Sequence, residues 1–227
     1  MNNLIQLLNI RKTFDEQKKI KVLKKISYTF ERGNIYSIMG PSGSGKSTLL
    51  NLISLIDRPS SGTILIENKK VDFEDSKKND IIRANKIGII YQQDNLLPDF
   101  TALEIIYLAS LAAGIDKEIS ISKAKILLKR VGLLNRSEHY PSQLSGGEKQ
   151  RISIARALIN NPEIILADEP TGSLDFNSAK AIFELLKSQI NYRRIIIFAT
   201  HNRFFANKSD CLLEMVNGNI KAINERK

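Results

Sequence analysis

Between a short apolar run, NIYSIM (34–39), and a segment of helical period, STLLNLISLI (47–56), lies Gly40-Pro41-Ser42-Gly43-Ser44-Gly45-Lys46-Ser47. A strand that turns through three glycines into a helix aims several backbone N–H groups at one point. The helix N-terminus adds partial positive charge there. Lys46 can bring a compact ammonium to the β- and γ-phosphates of a nucleotide, and Ser47 can offer its hydroxyl to Mg²⁺. The flanking strand and helix separate this pattern from a glycine-rich turn formed by chance. The expected ligand is a nucleoside triphosphate, held through Gly40, Ser42, Gly43, Ser44, Gly45, Lys46, Ser47 and Thr48.

The rest of the chain is consistent with an α/β fold around that loop. Its first third reads as strands, LIQLLNI, KVLKKISYTF and GTILIEN among them, separated by turn signals at 32–34 and 59–62. Residues 99–160 are mostly helical in period, as in TALEIIYLASLAA (101–113) and SISKAKILLKRVG (120–132). Two buried-type strands, EIILAD (163–168) and RIIIFAT (194–200), flank the helix pattern SAKAIFELLKSQI (178–190), an order that argues for a parallel sheet. LLEMV and NIKAI meet at Asn217-Gly218, a strong hairpin turn. No Pro/Ser-rich linker or repeat divides the chain, so residues 1–227 are read as one domain with a helical subdomain near 99–160.

IILADEP (164–170) sets Asp168 and Glu169 at the end of a buried strand, the place where an open α/β sheet has its phosphate crevice. Neighbours on a strand point oppositely, so the two carboxylates need different work. Asp168 is assigned to Mg²⁺ through its water shell, and Glu169 to orienting and deprotonating the attacking water.

A second glycine loop, QLSGGEKQR (143–151), also opens a helix. Ser145 and Glu148 have the spacing of a capping box, which alone would start the helix. A cap does not need Gly146-Gly147, each of which costs near 1 kcal/mol in a helix relative to Ala. The pair makes sense if a phosphate must approach the backbone. The loop has no lysine placed to complete a site, so it is half a site, and the other half is expected on a second copy across a two-fold interface.

LSGGEKQR (144–151), preceded by the phosphate loop and followed by IILADEP, resembles the ATP-binding subunit of ABC transporters over essentially the whole chain. The resemblance implies the P-loop NTPase fold of these ATPases, with a RecA-like parallel-sheet core, an N-terminal antiparallel β subdomain and an inserted helical subdomain. It also implies ATP and Mg²⁺ as ligands. Gln92, after Tyr91 in IIYQQDNLLPDF, resembles the glutamine that contacts Mg²⁺ and the attacking water; Gln93 is its neighbour. Asp175 in Ser173-Leu174-Asp175 resembles the aspartate that reaches across the dimer, and His201 the histidine that contacts the γ-phosphate. Phe14 stands where an aromatic, more often tyrosine, stacks on adenine. Asn202 and Ser173 depart from the aspartate and asparagine common at those places. His139 reads as a surface-loop residue.

Composition narrows the partners. No apolar run approaches the roughly 18 residues needed to span a bilayer, and the start, MNNLIQLLNIRK, lacks the parts of a signal peptide. The net charge of +10 comes from scattered lysines that read as solvated faces, as in KKIKVLKK (18–25), so membrane proximity is the next reading and no nucleic-acid partner is expected. The one cysteine, Cys211 in CLLEMV, reads as a small core residue. An ATPase with no span of its own is expected at the cytoplasmic face of the inner membrane, bound to a pair of integral permease subunits. Tandem translation factors, coiled-coil chromosome proteins and GTPases do not fit the single unit, the short spacing and the Asp-Glu pair. DNLLPDFTALEII (94–106) with ADEPTGSLD resembles the ATPases that drive lipoprotein release. Macrolide-efflux ATPases and cell-division regulators that move no cargo are near alternatives.

Overall fold

The computed structural model describes residues 2–15 and 19–225. They fall into two compact units, one comprising the chain up to Asn79 and from Ile190 onward, the other Asp80–Gln189.

The first unit opens with β1 (Asn3–Asp15) and β2 (Lys19–Glu31), an antiparallel pair whose register shifts near Ile10–Thr13. After β3 (Ile35–Met39) comes α1 (Lys46–Ile53), then β4 (Ser61–Ile66) and β5 (Lys69–Lys70). One antiparallel sheet has the order β2-β1-β4-β5. Lys18 of the KKIKVLKK run lies outside the described residues, and the rest does not alternate strictly: Ile20 is exposed with Lys19 and Lys21, while Leu23 and, just beyond the run, Ile26 are buried, because the pairing is bulged there. The expected helix over 47–56 stops earlier, at Ile53, since Leu55 takes a left-handed φ of 61°. α2 (Ser76–Lys86), in which the chain passes to the second unit, has no counterpart in the sequence reading; its stripe is too polar to show.

In the second unit β6 (Ile87–Ile90) precedes α3 (Ala102–Leu111), α4 (Lys117–Arg130) and α5 (Gly146–Leu158). β7 (Ile164–Asp168), parallel to β6, and α6 (Phe176–Lys187) complete it. This unit is wider than the helical segment expected at 99–160. Gly88 lies in β6 because an added Cβ would sit 2.4 Å from the Ala157 carbonyl oxygen of α5.

The chain then returns to the first unit with β8 (Ile195–Ala199), the short α7 (Arg203–Ala206), β9 (Cys211–Val216) and β10 (Asn219–Glu225). β3 runs parallel to both β8 and β9, and β10 returns antiparallel to β9 through Asn217 (φ 49°) and Gly218 (φ 74°). That is the left-handed pair a two-residue primed turn needs. Cys211 is buried in the core, as its run implied.

Helix starts in the second unit are fixed by side chains. Thr101 caps α3 and Ser145 caps α5, each in a reciprocal box with Glu104 or Glu148. Asp116 and Asp175 cap α4 and α6. Backbone N–H bonds from Thr101 and Ser145, then their hydroxyls, hold both glutamates below the usual carboxylate range.

Two outcomes follow from this packing. Gly88→Ala should lower stability by about 1–3 kcal/mol, read as a drop in Tm of several degrees, because strand and helix backbones must separate. Since the folded-state pKa of both glutamates is depressed, their stabilisation is present above the ordinary value near pH 4.3 and lost as pH falls through the folded value. Glu104→Gln/Glu148→Gln should therefore be about 1 kcal/mol less stable than the parent at pH 7. In urea titrations the gap should narrow below about pH 4.

Candidate nucleotide-binding site

In the first unit the phosphate loop follows β3, the strand flanked by parallel neighbours on both sides. Gly43 (φ 76°) and Gly45 (φ 105°) take left-handed conformations, the latter as the N-cap of α1. At Gly40 an added Cβ would fall 2.1 Å from the Met215 carbonyl oxygen, and at Gly45 it would fall 2.8 Å from Leu23 Cδ2. The loop is thus pressed between β9 and the β1–β2 hairpin, and only glycine fits.

α1 differs from α3, α4, α5 and α6 in having no side-chain cap, and from α3, α4 and α5 in having no acidic residue in its first turn. Uncapped N–H groups at a helix start want an external acceptor. Ser44 Oγ beside them is buried and makes no hydrogen bond within the described residues. Lys46 Nζ donates to the carbonyl oxygens of Gly40 (2.8 Å) and Pro41 (3.1 Å), so the cation lies within its own loop. A buried orphan hydroxyl, uncapped amides and a lysine are groups that can receive a phosphate chain.

His201 follows β8, whose Ala199 pairs with Ile38 near the end of β3; the Thr200 N–H donates to the Ile38 carbonyl. The histidine therefore emerges, exposed, at the same sheet end as the phosphate loop. Asn202 caps α7 by accepting from Phe204 N, a task at which Asn equals the more usual Asp. Phe14 lies on the β1–β2 hairpin and is 37% exposed.

In the second unit Asp168 ends β7, half-buried, and Glu169 follows it, buried, at φ 46°. A non-glycine residue in that region carries backbone strain of order 1–3 kcal/mol, held by its surroundings. The turn closes through Gly172 N–H to the Glu169 carbonyl. A Cβ at Gly172 would lie 3.5 Å from Glu169 Cβ and 3.6 Å from Gln92 Nε2, so the glutamine and the glutamate border one small residue. Gln93 is exposed beside Gln92.

Two residues that sequence reasoning passed over hold the Gln92 segment. Arg156 of α5 donates to the carbonyls of Asn95 (2.8 Å) and Asp94 (3.0 Å), and Gln150 donates to that of Tyr91 (3.5 Å). A guanidinium inside the uncharged, mostly apolar remainder of ISIARALI was the available signal. α5 also begins at the second glycine loop, so one helix supports both motifs.

The capping box at Ser145 is formed in full: Glu148 accepts from Ser145 N and Oγ at 2.8 Å each. Gly146 and Gly147 are different. Their added Cβ atoms would meet Leu174 at 3.8 Å and Ser178 at 3.7 Å, ordinary contact, and neither has positive φ. Nothing in the packing of the described residues demands glycine there. Asp175 is occupied locally as the cap of α6, where the Ser178 hydroxyl and N–H lower its pKa; Ser173, the departure beside it, is exposed in the turn. His139 is half-buried in its turn, with its ring 3.1 Å from Arg136 Nη1.

Known proteins carry the same architecture. The ABC transporter family profile matches residues 23–172. The lipoprotein-releasing system ATP-binding protein LolD of Rickettsia conorii is 44% identical over 218 residues, covering 95% of this chain and 96% of that protein. The macrolide export ATP-binding/permease protein MacB of Bartonella quintana is 40% identical over 227 residues, all of this chain but 34% of that protein. Among solved structures, the ATP-binding cassette MJ0796, a dimer in a post-hydrolysis state bound to ADP and Pi, superposes with a TM-score of 0.91. It is 36% identical, with 99% of each chain covered. With this match over most of its length, and with the phosphate loop in place, the chain belongs to the ABC transporter ATP-binding family and is an ABC ATPase.

Proposed function

We propose that this ATPase drives the release of lipoproteins from the inner membrane, by ATP-dependent closure of two copies of the chain, peripheral at the cytoplasmic face and bound to a pair of permease subunits. No helix among the described residues is long and apolar enough to cross a membrane, so the work has to be delivered to a partner that is embedded. Lipoprotein-releasing relatives at 42% and 44% identity, matched over nearly their whole length, support that cargo.

Residues 1–227 are read as one ATP-binding domain. Phe14 stacks on the base, and residues 40–48 hold the phosphates. His201 contacts the γ-phosphate. Glu169 takes the proton of the water that attacks the γ-phosphorus, while the bond to the β-phosphate oxygen breaks and its electrons leave with ADP. Gln92, beside Glu169 at Gly172, orients that water. Among the described residues no three His, Cys, Asp or Glu side chains gather as a metal cage. The hydroxyl of Ser47, the carboxylate of Asp168 and the amide oxygen of Gln92 are the hard oxygens that would hold Mg²⁺. Bound there, Mg²⁺ would neutralise charge on the phosphate oxygens.

The observation that carries the closure step is the pair Gly146-Gly147. The fold of one copy leaves both free to be alanine, yet they weaken the start of α5. They are explained by a second copy's γ-phosphate approaching Ser145, Gly146 and Gly147, with Asp175 near the joint. Closure then moves the helical region and pushes on the permease through the surface from Gln92 to Thr101.

Glu169→Gln should keep ATP binding while turnover falls by at least a hundredfold. Ser145→Arg should bind ATP as a monomer yet fail to dimerise or hydrolyse, as seen by light scattering and phosphate release. Cooperative hydrolysis at the parent rate in Ser145→Arg would remove the closure reading.

Purifying tagged Glu169→Gln from membranes in mild detergent with ATP and Mg²⁺ tests the cargo. A permease with a large domain outside the inner membrane and bound lipoprotein is expected. A macrolide pump component, or a division-type permease with wall-hydrolase factors, would replace lipoprotein release while leaving the ATP chemistry intact.

A further inference from the structure

Lys12 is 8% exposed, an unusual burial for a lysine and one that needs a reason. Its ammonium donates to Asp57 Oδ1 at 2.6 Å and to the Arg58 carbonyl at 2.9 Å. It also lies 4.8 Å from the centroid of the Phe14 ring. Lys12 and Phe14 are two apart on β1, so both side chains stand on one face of the strand.

The neighbouring backbone is clasped as well. Ser60 N donates to the Arg11 carbonyl (2.8 Å), Thr13 N to Ser60 Oγ (3.0 Å), and Ser60 Oγ to the Thr13 carbonyl (3.2 Å). Asp57, Arg58 and Ser60 belong to the segment that leaves α1, the helix whose N-terminus bears the phosphate loop. A short helix is rigid, so its exit is a fixed reference point for the phosphate site. Lys12 joins that point to the aromatic ring.

We infer that Lys12 is a positioning residue for the nucleotide base: its ammonium, anchored by Asp57 and the Arg58 carbonyl, braces one face of Phe14 so that the exposed part of the ring meets the base at a set distance from the phosphate loop. A cation over a ring face is attracted by its quadrupole, more so when partly desolvated, as here. The ion pair with Asp57 keeps the ammonium from turning to solvent and fixes which way the ring is held. The ammonium is taken up by Asp57, the Arg58 carbonyl and the ring, so its effect belongs to the base. This rests on the reading of Phe14 as the base platform.

The test compares ADP, which has a base and no γ-phosphate to hydrolyse, with inorganic tripolyphosphate, which has no base. Each displaces a fluorescent nucleotide from the purified full chain. Lys12→Met, which keeps the apolar stem, should weaken ADP about three- to thirtyfold, the range a cation–ring contact spans. Tripolyphosphate should bind as it does to the parent. Lys12→Arg should retain most ADP affinity, since the guanidinium also stacks on rings. Asp57→Asn, which leaves the cation but loosens its anchor, should give an intermediate loss and serves if Lys12→Met folds poorly.

Phe14→Ala separates the two layers. If it leaves ADP affinity unchanged, the base-platform reading fails and the role of Lys12 fails with it. If Phe14→Ala weakens ADP selectively while Lys12→Met and Asp57→Asn match the parent, the platform stands and the inference about Lys12 is overturned. Equal weakening of ADP and tripolyphosphate in Lys12→Met would also overturn it, because the lysine would then act on the phosphates or on the fold.

Discussion

The first unit is arranged around a helix that starts without a cap. α1 opens at Gly45 in a left-handed conformation, with neither a side-chain acceptor nor an acidic residue to quiet its first amides. Left alone, such an end would fray. It is held because the strand before it, β3, is flanked by β8 and β9, and because the loop between is wedged at Gly40 against Met215 and at Gly45 against Leu23. The antiparallel sheet serves the same end. Its hairpin supplies the wall at Leu23, and its first strand bears the aromatic ring.

The second unit solves the opposite problem. α3, α4, α5 and α6 all begin with a side chain that accepts backbone N–H bonds, so none has a standing demand for an anion. At α5 the cap is complete and the two glycines are superfluous to it. The same nine residues, QLSGGEKQR, therefore contain an ordinary helix start and two glycines that the start does not require. Either reading alone would have missed half of what those residues do.

Legibility from sequence followed how local the determining physics is. The phosphate loop, the Asn-Gly hairpin and the buried strands ILAD and IIIFA were readable because turn chemistry and apolar runs act over a few residues. α2 was not, since a helix as polar as SKKNDIIRANK shows no apolar stripe and forms where the chain changes unit. The end of α1 is not legible because apolar residues continue to Ile56 while Leu55 has already left the helix. Arg156 and Lys12 were invisible for another reason. Each binds backbone or carboxylate groups far along the chain, and spacing cannot announce a partner 45 or 62 residues away.

The strained backbone at Glu169 and the missing cap at Gly45 both fall where chemistry is assigned, and that placement is itself an argument. Glu169 carries a left-handed backbone that most residues avoid, at a strand end where an ordinary turn would do. Its carbonyl accepts from Gly172 N–H, and Gly172 in turn leaves room for Gln92. A relaxed backbone at 169 would turn the carboxylate elsewhere and break up that grouping. Stability alone would favour a cap at 45, alanines at 146 and 147, and glycine or asparagine at 169. The chain has none of these, and each departure falls at a residue to which the chemistry is assigned.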